Sequence, residues 1–178
     1  MHVNNYNILL KRRKINIIHK RNLFFFIIIL FLLPVKFYAQ ETNYIAISSA
    51  VFDILQQVDP AYETRIEFRL GETNLWGHPF SGIMVNTGGA AFLYLGLYYD
   101  IPVGDYFYIT PSFAPGLYAK NKSKDLNLVL QFRSQIEIAY KFENKSRISI
   151  GFSHVSNASL GKENPGVESL VLTYIIPL

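Results

Sequence analysis

Between Arg147 and Asn157 the even-numbered side chains Ile148, Ile150 and Phe152 are apolar, and His154 and Ser156 continue the same parity. In the closing segment Leu170, Leu172, Tyr174, Ile176 and Leu178 form the apolar set, and Glu168 belongs to it. An extended chain points alternate residues to opposite faces, so three polar side chains stand on a greasy face. If the segments pair antiparallel with 154 opposite 168, then 152 meets 170, 156 meets 166, and paired Cβ atoms lie about 4.5 to 5.5 Å apart. Serine and histidine two apart on one strand are separated by roughly 6.5 to 7 Å at Cα, which their side chains can bridge. A hydroxyl becomes a nucleophile when an imidazole takes its proton, and the imidazole needs a partner on its other nitrogen to hold the tautomer. Ser156, His154 and Glu168 have the types and spacing of an acyl-transfer relay. Taken singly each has an ordinary reading, His154 as an interfacial residue and Glu168 as a rim charge, because charge on a barrel's lipid face costs least near the interface. All three together strain that reading.

Strands must position these residues, and period-two alternation recurs along the chain with almost no helical period. From Leu128 to Phe142 one parity carries Leu128, Leu130, Phe132, Ile136, Ile138, Tyr140 and Phe142, interrupted only by Ser134. The other carries Gln131, Arg133, Gln135, Glu137 and Lys141. Likewise Ile66, Phe68 and Leu70 alternate with Arg65, Glu67 and Arg69. The pattern predicts eight strands: 44–55, 63–70, 80–86, 90–99, 106–118, 128–142, 147–157 and 166–178.

Two all-β architectures share this alternation. In a soluble sandwich the apolar parity meets the core and the charged parity meets water; in an outer-membrane barrel the apolar parity meets lipid. Several strands of ten or more residues suit a tilted span of about 9 to 11. Twelve Tyr and fourteen Phe suit the girdles at the two interfaces, and the chain ends on an apolar residue of its last strand. The expectation is an eight-stranded antiparallel transmembrane β-barrel of the outer membrane. With both termini in the periplasm, connections 119–127 and 158–165 lie outside the cell, and Lys120, Lys122, Lys124 and Lys162 face the outer leaflet, whose lipid bears phosphates. Residue type alone favours ordinary solvated lysines there. The connection 71–79, "GETNLWGHP", is long for a periplasmic turn and counts against the strand count.

The chain has 178 residues and a formal charge of +4. Residues 1 to 40 hold seven of the seventeen bases and none of the thirteen acids, so the remainder is mildly acidic and no nucleic-acid partner is implied. Basic residues followed by the apolar run "LFFFIIILFLLPV" and then "KFYAQ" read as an export signal, residues 1–39, cut after Ala39 and followed by the barrel, 40–178. An uncleaved anchor is the other reading, though the run is short for a span of roughly 17 to 25 residues. No cysteine is present, which excludes disulfides and thiolate metal sites.

"SHVSNASLGKENPGVES" resembles the signature of the lipid A 3-O-deacylases, often called PagL, in which His-x-Ser-Asn is followed by Asn-Pro-Gly-x-Glu before the final strand. "FAPGLY" from Phe113 and "LQFRSQIEIAYKF" from Leu130 also look like that family, so the resemblance covers the second half well and the first half in strand pattern only. It implies a serine esterase that removes the 3-O-linked hydroxyacyl chain of lipid A without metal or cofactor. By position Ser156 resembles the nucleophile, His154 the base, Glu168 the orienting carboxylate and Asn164 an oxyanion donor. Gly166 is expected to leave room for the acyl chain, Phe152 and Leu170 to line its path, and Asn157, on the other parity, to brace the strand. Lipid A or lipopolysaccharide is then the substrate, in contact with membrane lipid, and a homodimer is allowed. Two other classes stay open: a structural or pore-like barrel without activity, and an outer-membrane phospholipase with the same relay.

Overall fold

The computed structural model describes residues 42–71 and 77–178; the expected signal peptide and the middle of the 71–79 connection lie outside the described residues. The strands are β1 (Tyr44–Phe52), β2 (Ala61–Arg69), β3 (His78–Asn86), β4 (Ala91–Tyr98), β5 (Ile101–Val103), β6 (Phe107–Ala119), β7 (Leu130–Lys141), β8 (Arg147–Ser156) and β9 (Val167–Pro177). They form one sheet in the order β4-β3-β2-β1-β9-β8-β7-β6-β5, and a β4–β6 pairing closes it. Every pairing is antiparallel.

The three-residue β5 is the tail of β4, because Tyr98↔Ser112 and Ile101↔Ile109 keep one register along β6. The break falls opposite Pro111, which has no N–H to donate, although the Tyr99 N–H still reaches the Pro111 carbonyl at 3.0 Å. Pro115 interrupts the same ladder between Tyr94↔Gly116 and Leu97↔Phe113. There the backbones come so close that a Cβ on Gly96 would collide with the Phe113 carbonyl. The wall is thus an eight-stranded barrel, as the periodicity predicts.

Which parity faces which way is decided by burial. Ile47, Val51, Ile66, Phe68, Leu93, Leu95, Ile136, Ile138, Ile150 and Leu172 lie on the outer surface, while Glu63, Arg65, Glu67, Arg69, Arg133 and Glu137 are buried inside. An apolar belt of this extent on a soluble protein would be an aggregation surface; against lipid it is a solvation surface. These six charges balance, three carboxylates against three guanidiniums, and they interlock. Arg69 Nη2 lies 2.7 Å from both Glu67 and Glu137, and Arg133 Nη1 lies 2.6 Å from Glu67. Arg65 pairs with Glu63 and donates to Gln135 at 2.7 Å and to Ser153 at 2.9 Å. Tyr94 donates to Glu67 at 2.9 Å, and its ring lies 4.4 Å from the Arg133 guanidinium carbon. Beside this network pack Phe52, Phe80, Met84, Phe92, Tyr118 and Leu126. Side chains fill the lumen, which disfavours the pore-like reading.

One rim is tied by contacts among its connections. Asn86 Nδ2 donates to Ser123 at 2.9 Å, Gln56 Nε2 to the Pro165 carbonyl at 3.1 Å, and Asn157 Nδ2 to the Leu126 carbonyl at 3.1 Å. Here one expectation is corrected. Lys124 is not a phosphate-facing lysine: it is buried, with Nζ 2.5 Å from Asp53 Oδ1 and 2.9 Å from Gln56 Oε1. Burial pushes the Asp53 carboxyl up, but the Lys124 ammonium and the N–H groups of Asp59 and Val58 outweigh it and hold it below the usual range. Lys120 is paired with Asp125 at 2.5 Å, and Lys122 and Lys162 are exposed. A surface lysine becomes a structural one because a carboxylate from the β1–β2 connection meets it once the barrel closes.

Candidate active site

β8 ends at Ser156, so its last outward side chains reach the interlocked rim. The β8–β9 ladder pairs His154 with Glu168 and Phe152 with Leu170, as the parity predicts. His154 Nδ1 lies 2.9 Å from Glu168 Oε1. A carboxylate only accepts, so Nδ1–H is the donor, and in the neutral ring that tautomer leaves the lone pair on Nε2. The two side chains differ in setting: His154 is 43% exposed and Glu168 only 14%. The second Glu168 oxygen, Oε2, is buried with no partner among the described residues.

The ladder stops at Val155↔Val167, one pair short of the expected Ser156–Gly166 pair. The reason is backbone: Gly166 has φ 62°, in the left-handed region and off the extended path. That bend brings it under the imidazole, and a Cβ there would sit 2.9 Å from His154 Cε1. Gly166 therefore serves two needs at once, a left-handed conformation that costs other residues about 1–2 kcal/mol and a floor for the ring.

Beyond Ser156 the chain turns sharply, with the Leu160 N–H bonded to the Asn157 carbonyl at 3.0 Å. Ala158 (φ 53°) and Ser159 (φ 62°) are both left-handed, which strains a turn built without glycine. Asn157 holds it: fully buried, its Nδ2 donates to the Glu163 carbonyl at 2.8 Å as well as to Leu126. It points inward, as parity predicts, and its contacts tie the connections rather than the strand. Asn164, exposed in this loop, accepts the Asn157 N–H on Oδ1 at 3.1 Å. Its amide is thereby oriented, with Nδ2 left to donate elsewhere.

Phe152 and Leu170 stand side by side below the histidine, 41% and 45% exposed on the lipid face. Ser156 Oγ, like the outward-facing Ser134 Oγ, has no hydrogen-bond partner among the described residues. β7 places Ser134 directly across from His154 on the side away from Glu168, and Phe132 across from Ser156. The sequence signal for Ser134 was present as the one polar break in an apolar parity, but nothing in it named the neighbour. Among the described residues no three His, Asp or Glu side chains converge as metal ligands would. The arrangement is suited to proton transfer and acyl transfer at a lipid surface.

Comparison with known proteins adds family to geometry. The crystal structure of the outer membrane enzyme PagL superposes with TM-score 0.61 at 23% identity, covering 75% of this chain and 99% of that one. A de novo designed transmembrane β-barrel gives 0.59 at 8% identity, covering 79% and 98%, and Neisserial surface protein A gives 0.52 at 9%, covering 77% and 96%. These likenesses establish the barrel fold alone, since low-identity barrels of different origin score similarly. No curated protein matches significantly. The family described as lipid A 3-O-deacylase (PagL) matches over residues 58–177, which spans every strand from β2 to β9 and all the site residues. The chain, an eight-stranded outer-membrane barrel, belongs to the lipid A 3-O-deacylase (PagL) family.

Proposed function

We propose that this protein hydrolyses the 3-O-linked hydroxyacyl ester of lipid A from the outer leaflet, with Ser156, His154 and Glu168 as its catalytic residues. The observation that carries the reading is the 2.9 Å His154–Glu168 hydrogen bond on the outward face of the barrel, one alternation below Ser156. A site for a lipid ester must open to the lipid, since a nucleophile in the filled lumen would never meet its substrate.

Ser156 Oγ attacks the ester carbonyl carbon while His154 Nε2 takes its proton, and Glu168 stabilises the imidazolium through Nδ1–H. Charge develops on the carbonyl oxygen, and Asn164, whose Oδ1 is held by the Asn157 N–H, donates to it through Nδ2. Collapse breaks the bond to the sugar oxygen, which takes the proton from His154 and leaves as the lipid A 3-hydroxyl. Water then adds to the acyl-serine, giving its proton to His154, and the hydroxy fatty acid departs as Ser156 recovers its own. In this reading the exposed Lys122 and Lys162 meet the lipid phosphates.

The test is the mass of lipid A incubated with the folded protein, with and without chelator. Loss of one hydroxyacyl group that persists in chelator and vanishes in Ser156→Ala is expected. Full activity in Ser156→Ala overturns the mechanism, and acyl release from phospholipids alone overturns the substrate.

A further inference from the structure

Every outward side chain of β7 from Leu130 to Tyr140 is apolar except Ser134, which is exposed. Ser134 is thus the one aliphatic hydroxyl in an otherwise apolar row on that face. Ser134 pairs with His154 on one side and Phe113 on the other, and Phe132 pairs with Ser156. The imidazole does not cover Ser134, because its bond to Glu168 and its contact with Gly166 both draw it over β9. The β7 side of the histidine is therefore a notch floored by a small residue. Phe132, stacked on Phe113 at 6.0 Å and 15°, stands above it, with Ile136 below and Phe152 beyond Ile136 on β8.

An acyl chain held by its carbonyl at Ser156 must run from the rim toward the bilayer centre. On the β9 side the imidazole and Glu168 occupy that path; on the β7 side only Ser134 lies beneath it. Diagonal neighbours on paired strands are about 7–8 Å apart, and C3 of an acyl chain is two bonds beyond the carbonyl carbon. A hydroxyl on C3 passes within reach of the Ser134 hydroxyl, which can donate or accept.

We propose that the acyl chain leaves the ester through this notch and that Ser134 hydrogen-bonds its 3-hydroxyl, making Ser134 a specificity-determining residue for 3-hydroxyacyl esters. The inference rests on the ester-hydrolase reading above. Two probes separate the two: nitrophenyl esters of 3-hydroxydecanoic and decanoic acid, presented in detergent micelles to the folded barrel. The wild type prefers the hydroxylated ester in kcat/KM, and Ser134→Ala lowers that ratio about three- to tenfold, the worth of one neutral hydrogen bond. The isosteric pair Ser134→Thr and Ser134→Val guards against a packing effect, with preference kept in the first and lost in the second. A wild type with no preference, or a ratio unchanged in Ser134→Ala and Ser134→Val, overturns the role of Ser134 and leaves the hydrolase standing. Hydrolysis of neither ester by the wild type overturns both.

Discussion

Gly166→Ala isolates what positions the histidine. The added methyl meets two penalties that can be separated. At φ 62° an alanine costs about 1–2 kcal/mol of backbone energy. In addition its Cβ would lie 2.9 Å from His154 Cε1, where ordinary contact begins near 3.4 Å, so the ring must retreat by about half an ångström or more. Retreat from Gly166 disturbs the 2.9 Å bond to Glu168 and so the placement of the imidazole. Since a misplacement of about 1 Å can cost on the order of 10²-fold in rate, the expected fall in kcat is roughly ten- to a hundredfold. Gly104→Ala is the control: its φ is 69° but nothing lies within 4 Å of its would-be Cβ, so it carries the backbone penalty alone. The assays are deacylation rate by lipid A mass and barrel stability by the temperature at which the folded band is lost on a gel. Gly104→Ala should lose the backbone share of stability and keep its rate, whereas Gly166→Ala should lose at least that much stability and its rate as well. If Gly166→Ala keeps the wild-type rate, the floor-of-the-ring argument is wrong and Gly166 is needed for its conformation only.

Four further outcomes are expected. His154→Ala should nearly match Ser156→Ala, and Glu168→Ala should be milder, because an imidazole without its carboxylate still accepts a proton part of the time; single-turnover rates distinguish them. Asn164→Ala should slow acyl transfer by about 10²- to 10³-fold with little change in KM, as loss of an oxyanion donor does. Lys124→Met leaves Asp53 buried and unpaired, so denaturant titration should show a loss of about 3–5 kcal/mol, whereas Lys122→Ala and Lys162→Ala should change only salt-dependent activity. The Asp53 carboxyl is held low in the folded state, so the contribution of its pair is complete above the unfolded value of about 3.9 and fades as pH falls through the lower folded one. Protection factors, with the intrinsic pH dependence of exchange divided out, should therefore be flat in 53–60 and 120–127 from pH 7 to 5 and fall only below about pH 4.

The sequence alone determined the strands and the face each site residue takes. Side-chain parity has a period of two, so a slip of one residue would have turned Ile148, Ile150, Phe152, Leu170 and Leu172 inward, and parity restricts the pairing to registers that keep both apolar sets on one face. Among those registers, the structure selects the one with His154 opposite Glu168. Alternation could not decide between barrel and sandwich, because both need one apolar and one polar face. The β4–β6 pairing decided it by removing the sheet edges, and with it the charged parity became an interior in which Glu67 and Arg133 meet. Contacts that cross between elements were likewise hidden: Lys124 finding Asp53, the left-handed Gly166 supporting His154, and Ser134 arriving beside the histidine from β7. Local pattern records which face a residue takes, since that depends only on its own strand; what it meets there depends on closure, which brings distant segments together.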